Sequence, residues 1–238
     1  MISFVVPAYN EAQLLAATLD AIHAAARDIA HPYELIVADD ASTDDTAAIA
    51  RAHGARVVAC AHRQIARVRN TGAHASTGDI LIFVDADTMV STPLVRASLA
   101  ALDGGAVGGG ATLHVDGPLP WWSRPLIVAV SESMRLFRWA AGCYVFCTRA
   151  AFDAAGGFDE RLFATEEIAL SRALKRLGRV VILRERATTS GRKLRTHSAG
   201  DFLRLLAGVA LHGPAFLRRR DRLSVWYGER RDEHRTRP

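Results

Sequence analysis

Cysteine is scarce: Cys60, Cys143 and Cys147 are the only thiols in 238 residues. Three thiols among apolar neighbours make neither a disulfide framework nor a zinc cluster, so reduced thiols in a cytoplasmic protein are expected. Runs of eighteen apolar residues are missing, which removes a bilayer-spanning helix from the expectation. Met1-Ile2-Ser3-Phe4 opens directly into a strand pattern with no basic region before it, so a signal peptide is not expected. No Pro/Ser/Gly-rich linker and no repeat with a period of twenty to fifty residues divides the chain, which favours one large α/β domain. The G-x-G-x-x-G dinucleotide fingerprint is absent, as are the G-x-S-x-G and paired Cys/His signatures of an enzyme nucleophile. The arginines are not interleaved with an aromatic platform, and nucleic acid is not an expected partner.

What remains is ample for a core, with 50% hydrophobic residues. The net charge of +5 is uneven: residues 191–238 hold 12 Lys/Arg against 5 Asp/Glu, and residues 1–190 hold 18 against 20. The cluster Arg218-Arg219-Arg220-Asp221-Arg222 follows an apolar segment and suits anionic lipid headgroups or a merely solvated tail.

Ile80-Leu81-Ile82-Phe83-Val84 reads as a buried strand that emerges into Asp85-Ala86-Asp87. Side chains at i and i+2 of a strand share a side, so Asp85 and Asp87 can address one object beyond its C-terminal end, where open α/β sheets bind ligands. Two converging carboxylates call for a cation between them. Without nearby Cys or His that cation is Mg²⁺ or Mn²⁺. An Asp-rich turn that caps backbone N–H groups is the structural alternative.

Three strand–helix units precede this one. Ile2 to Val6 is a strand stopped by Pro7, and Pro7-Ala8-Tyr9-Asn10-Glu11 leads into a helix marked by Leu14, Leu15, Leu19 and Ile22. That connection offers N–H groups, an aromatic face and a carboxylate to a nucleoside; Asn10 equally suits an N-cap. Tyr33 to Ala38 is a second strand ending at Asp39, which is free to accept from a base N–H or a ribose hydroxyl. Asp44 and Asp45 are assigned to the first turn of the next helix. A short strand from Ala55 to Ala59 and a helix from Gln64 to Ser76 follow, with Arg63, Arg67 and Arg69 placed for a diphosphate or for solvent.

Beyond residue 90 the rhythm changes. Gly108-Gly109-Gly110 permits close backbone approach, and Pro118 to Trp139 reads as an amphipathic helix whose aromatics pack into the core or form an interfacial patch. Core packing is the expectation. A strand runs from Gly142 to Thr148. Thr165 suits an N-cap for the helix opened by Glu166 and Glu167, one of which could also serve as a general base.

Four ordered segments resemble the inverting family-2 glycosyltransferases of the GT-A fold: Val6 to Glu11; Asp39 to Thr46; Arg69-Asn70-Thr71-Gly72 leading to Gly78-Asp79 and Asp85-Ala86-Asp87; and Gly156-Gly157-Phe158-Asp159-Glu160 followed by Glu166-Glu167. The resemblance implies a mostly parallel, Rossmann-like sheet flanked by helices. Its catalytic domain would be residues 1–190, with a nucleotide half of about 1–90 and an acceptor half of about 91–190, and residues 191–238 a basic helical extension. It implies nucleotide contacts at Pro7, Ala8, Tyr9, Glu11, Asp39, Arg69, Asp85 and Ala86, a cation on Asp87 and Asp85, and an acceptor near Gly142. Glu167 stands where the family has the Asp of a Glu-Asp pair and is the implied base, with Glu166 beside it. His197, in a basic flap, would add a metal ligand. A nucleoside-diphosphate sugar, UDP-linked by default, and a hydroxyl acceptor would be the substrates, with peripheral contact at the inner membrane face through the basic C-terminal region. Two other readings are a haloacid-dehalogenase-like phosphatase with Asp85 as nucleophile and a non-catalytic sugar-nucleotide binder of the same fold.

Overall fold

The computed structural model describes residues 1–223. In chain order the elements are β1 (Ile2–Ala8), α1 (Leu15–Ile29), β2 (Tyr33–Asp40), α2 (Thr46–Ala52), β3 (Arg56–Cys60), α3 (Ile65–Ala75), β4 (Ile80–Val84), β5 (Thr88–Met89) and α4 (Thr92–Asp103). Then come β6 (Ala106–Val115), α5 (Ser123–Phe137), β7 (Tyr144–Thr148), α6 (Arg149–Ala155), α7 (Glu166–Leu177), β8 (Arg179–Thr189), α8 (Arg192–Thr196) and α9 (Ala199–His212), followed by two 3₁₀ turns.

All eight strands join one sheet in the order β3-β2-β1-β4-β7-β6-β8-β5. The β3-β2-β1-β4 half is parallel throughout, as the alternating strand and helix pattern requires. β7 runs antiparallel to both β4 and β6, and β8 returns parallel to β6. The α/β class and mostly parallel sheet are as expected. α4 and β8 have no counterpart in the sequence reading: β8 runs from an apolar stretch, Val180 to Leu183, into the charged Arg184-Glu185-Arg186, and its inner face is defined only by its place beside β6.

The core lies on both sheet faces. One cluster gathers Phe4, Val6, Leu15, Leu19, Ile82, Val84 and Tyr144, the other Val5, Leu81, Phe83, Phe152, Phe158 and Leu170. β4 contributes alternate residues to each, which explains its unbroken apolar run. Gly72 lets α3 lie against β1, where a Cβ would collide with Val5. At Gly110 a Cβ would stand 2.7 Å from that of Ala140, so the glycine lets the loop before β7 close onto the sheet.

Several local expectations are corrected. β1 runs one residue past Pro7, since in the register Pro7↔Ala38 the strand continues to Ala8. Asn10 does not cap α1, which starts at Leu15; it has φ +50°, and its side-chain oxygen accepts from the Thr43 N–H, tying the two loops together. Asp44 lies before α2 rather than within it, accepting from Thr46 N–H and from Ala12 N–H. Thr165 has φ +64° and makes no side-chain cap.

The largest correction concerns α5. Ser123 is its only buried residue, and Trp121, Val128, Leu136 and Phe137 stand 87%, 61%, 77% and 49% exposed. Met134 faces the core cluster, but the opposite side is also apolar, so core packing accounts for one side of this helix only. Among the described residues no helix is long and apolar enough to cross a membrane.

Candidate active site

β1, β2 and β3 end together, and their C-terminal loops form the first corner of a cleft. Asp39 and Asp40 close β2. The Asp40 carboxylate accepts from the N–H groups of His62 and Arg63, at 2.6 and 3.0 Å, and fixes the loop after β3. Asp39 is different. It is buried, yet its Oδ1 has no hydrogen-bond partner, the condition of an acceptor that awaits a donor from outside the chain. Tyr9 follows β1, and the Arg63 guanidinium carbon lies 3.4 Å from its ring centroid. Pro7 and Ala8 are buried strand residues that form the floor here.

The second corner is the exit of β4. Asp85 receives the Arg69 guanidinium at 2.7 Å, and Asp87 Oδ1 accepts from the Thr189 hydroxyl at 3.2 Å. Among the described residues neither carboxylate accepts from a backbone N–H, so the capping alternative is overturned. Ala86 between them is buried, and its carbonyl accepts from Thr18, so it spaces the pair from below. Arg192, on α8, grips both oxygens of the buried Glu11 at 3.1 and 3.0 Å and stands 4.0 Å from Asp87. Burial raises the Asp87 pKa to about 6; Lys193 works against this, Asp85 and Glu11 add to it, and Arg192 opposes it.

Two hard oxygen donors on a half-buried, mutually repelling acidic corner fit a divalent cation of the Mg²⁺ or Mn²⁺ kind. Among the described residues no three His, Cys, Asp or Glu side chains cluster as a complete metal cage. A cation would therefore need oxygens from a bound ligand as well. His197 does not join the aspartates in such a cluster; its Nδ1 meets the Thr196 hydroxyl and the Lys193 carbonyl.

A carboxylate with a raised folded-state pKa destabilises the fold when ionised. For Asp87 the penalty is full above about pH 6 and vanishes below the ordinary aspartate value of 3.8. Asp87→Asn is therefore expected to raise stability at pH 7 by on the order of 1–2 kcal/mol, read by urea unfolding.

The third corner joins α3, the loop before β7 and the start of α7. Arg69, expected at a diphosphate, is instead fully buried. Its guanidinium donates to Glu166 at 2.6 Å, Asp85 at 2.7 Å and the Gly142 carbonyl at 2.7 Å. Burial works against the charge of Arg69, yet Asp85 and Glu166 outweigh it and keep it protonated. Glu166 is buried and committed to this ion pair. Glu167 is half-buried and makes no salt bridge with Arg69; the desolvation around it, then Glu166, raise its pKa well above the ordinary carboxylate range, with the nearby charge of Arg69 opposing them. A Cβ placed on Gly142 would stand 3.6 Å from the Glu167 carboxyl carbon, so Gly142 and Glu167 face each other.

Sequence reasoning names Asp39, Asp85, Asp87 and both glutamates, and the structure brings the last four to a common arginine or a common acidic corner. It does not single out Glu11–Arg192 as a pair or Arg63 against Tyr9. Sequence separations of 181 and 54 residues leave no local trace of either.

An α/β sheet whose strand ends carry a buried, unpartnered carboxylate oxygen, an acidic pair and a desolvated glutamate has the arrangement of a ligand-binding cleft. The chain belongs to glycosyl transferase family 2, whose model matches residues 3–155. An undecaprenyl-phosphate 4-deoxy-4-formamido-L-arabinose transferase of Serratia proteamaculans is 34% identical over 94 residues, 36% of this chain and 28% of that one. An uncharacterized glycosyltransferase of Mycobacterium tuberculosis is 34% identical over 140 residues, 56% of this chain and 59% of its own. The chain thus spans well under two thirds of the curated relatives it matches. Among solved structures, the mannosyltransferase of Pyrobaculum calidifontis, in complex with GDP-Man and Mn²⁺, superposes with a TM-score of 0.64 at 22% identity, covering 88% of this chain and 61% of that one. Glucosyl-3-phosphoglycerate synthase of Mycobacterium tuberculosis, in complex with Mn²⁺ and UDP, gives 0.58 at 23%, covering 92% and 79%. These two show the shared GT-A architecture. Family membership disfavours the phosphatase reading, and Asp85 is in any case tied to a buried arginine.

Proposed function

We propose that the protein is a metal-dependent, inverting glycosyltransferase that moves a sugar from a nucleoside-diphosphate sugar to a hydroxyl of a lipid-linked acceptor. The observation that carries this reading is the division of labour between two adjacent carboxylates. Arg69 neutralises Glu166, which leaves Glu167 desolvated, unpaired with that arginine and facing Gly142. A carboxylate of raised proton affinity can take a proton from an incoming acceptor near neutral pH.

Asp39 Oδ1 accepts from the nucleobase, and the loop from Pro7 to Glu11 backs the nucleoside. Asp85 and Asp87 would hold the cation, which would supply Lewis-acid stabilisation of the departing diphosphate. Arg192 and Lys193 neutralise the acidic corner from the far side of the cleft, so the start of the 191–238 extension serves the catalytic domain of residues 1–190 rather than standing apart from it. If the acceptor hydroxyl, deprotonated by Glu167, attacks from the face opposite the diphosphate, one displacement suffices and inverts the anomeric centre.

GDP-Man or UDP accompanies Mn²⁺ in the two structural neighbours, and several relatives are named for undecaprenyl-phosphate, which supports the choice of substrates. Thermal-shift measurement with UDP and GDP, with and without Mn²⁺, is the first test: a Mn²⁺-dependent rise in melting temperature is expected, and no rise with either nucleotide removes the proposal.

A lipid-linked acceptor places the protein at a membrane surface, on the cytoplasmic side. Support comes from Trp121, just before α5, and from the exposed Val128, Leu136 and Phe137 on that helix, with the exposed arginines Arg124, Arg135 and Arg138 beside them. Arg138 and Arg172 lie close enough to Lys175 to add to the lowering of its pKa, after burial, so this cluster carries uncompensated positive charge beside apolar surface. Binding to phosphatidylglycerol vesicles is expected to fall at least fivefold in Leu136→Ser/Phe137→Ser and to weaken with salt. Equal binding to neutral vesicles, or none, would remove the membrane from the proposal.

A further inference from the structure

Thr165, directly before the two glutamates, holds a left-handed backbone at φ +64°. A β-branched residue is disfavoured there, so the surrounding structure has to impose the conformation. The loop that leads to it is held from two sides. From the start of α3 the buried Gln64 donates its side-chain amide to the carbonyls of Glu160 and Leu162, at 2.6 and 3.0 Å. From the other side the Leu217 carbonyl accepts from the Phe163 N–H at 2.9 Å, and Leu217 belongs to the 3₁₀ turn Gly213–Arg218 that follows α9. Beside this bond Ala164, Phe216 and Leu223 are buried together in a third apolar cluster, distinct from the two on the sheet, with Phe163, Leu205 and Leu217 packed against it. Gly208, on α9, makes room for it: a Cβ at that position would collide with the Phe216 ring. The C-terminal segment is therefore packed against the loop that opens α7.

We propose that α9 and the 3₁₀ turn after it form a strap whose docking sets the position of the Glu167 carboxylate, with Phe216 and Gly208 as positioning residues. The strap fixes Phe163 and Ala164, and these fix Thr165. The Thr165 carbonyl accepts from the N–H groups of Ile168 and Ala169, so the conformation at Thr165 decides how the first turn of α7 begins. Arg69 anchors that turn through the Glu166 side chain, and the strap anchors its backbone. One anchor leaves the turn free to rotate about it; two fix where Glu167 points, opposite Gly142. Small displacements of a reacting group carry large losses in rate, which is why such a residue needs a second support. The family model matches residues 3–155 and so does not reach the strap. This inference rests on the transferase reading only for the role of Glu167 as a base; the placement of its carboxylate is independent of that reading.

The experiment combines three measurements on the full chain: carboxyl ¹³C NMR titration, with the Glu167 signal assigned by its loss in Glu167→Gln; amide hydrogen exchange over residues 163–169; and calorimetry with UDP and GDP in Mn²⁺. Gly208→Ala is the principal variant, because alanine favours a helix more than glycine does, so α9 is kept while the new methyl expels the Phe216 ring. Phe216→Ser undocks the strap by another route. In both, the amides of 163–169 are expected to exchange about tenfold faster, and the Glu167 titration midpoint to fall by about one pH unit as the carboxylate becomes hydrated. Nucleotide affinity should stay within about twofold, and Phe216→Leu, which keeps the apolar contact, should retain the wild-type midpoint. A segment that only adds stability would leave that midpoint where it was. Four results would overturn the strap: a midpoint unmoved in both variants, unchanged exchange over 163–169, a loss of nucleotide affinity as large as the change in exchange, or global unfolding of both variants. If the wild-type protein binds neither nucleotide, the transferase reading falls while a displaced midpoint still upholds the strap; normal nucleotide binding with Glu167 indifferent to both substitutions sinks the strap alone.

Discussion

Glu167→Gln is expected to leave nucleotide affinity within about twofold of wild type and to lower the rate of sugar transfer by about 10³, the scale of a missing general base. The amide keeps the shape and cannot take the acceptor's proton. Its pH profile is the sharper readout. Burial, then Glu166, raise the Glu167 pKa, so the residue stays protonated and inactive over a wider acidic range than an ordinary carboxylate would. Activity in the wild type should therefore climb with pH through a limb displaced toward neutrality. In the variant the residual rate should lose that limb. Rate loss accompanied by an equal loss of nucleotide binding, or a limb that survives the substitution, would move the base elsewhere; Glu166 is a poor second choice, since its carboxylate is already engaged by Arg69.

The largest stability effect is expected at Arg69. Arg69→Leu strips the partner from a buried carboxylate, Glu166, and from the part-buried Asp85, and frees the Gly142 carbonyl. Breaking a buried ion pair from one side costs about 3–5 kcal/mol, a large fraction of the roughly 5–15 kcal/mol that holds a typical domain folded. Arg69→Lys keeps the charge but replaces a fork with a point, and should lose less than half of that. The cycle with Glu166→Gln separates a network from simple packing. Removing both partners should cost markedly less than the sum of the single changes. Additive losses in urea unfolding would show that Arg69 packs there without being coupled to Glu166.

Much of the architecture was legible because it depends on local pattern. The unbroken apolar run of β4 and the alternation of strand and helix through residue 84 dictate a parallel half-sheet, and the C-terminal ends of parallel strands dictate where a ligand site lies. Asp39, Asp85 and Asp87 were readable for the same reason: each is an acid placed at the end of an apolar strand. The local rules failed where a second element decides. Thr165 and Asn10 have the side chains of caps, yet both occupy left-handed backbone positions, which lie outside capping geometry. α5 has the helical spacing of a core element, and spacing alone gives no measure of how many faces the rest of the chain can cover.

The sequence by itself determined the strand ends that carry acids and the first half of the sheet, because those follow from residue order over a few positions. Tertiary structure alone decided which carboxylate is neutralised and which is left desolvated. Arg69 reaches Glu166 across 97 residues and Arg192 reaches Glu11 across 181, and the charge state of a buried acid depends on who sits beside it in space rather than on its neighbours along the chain.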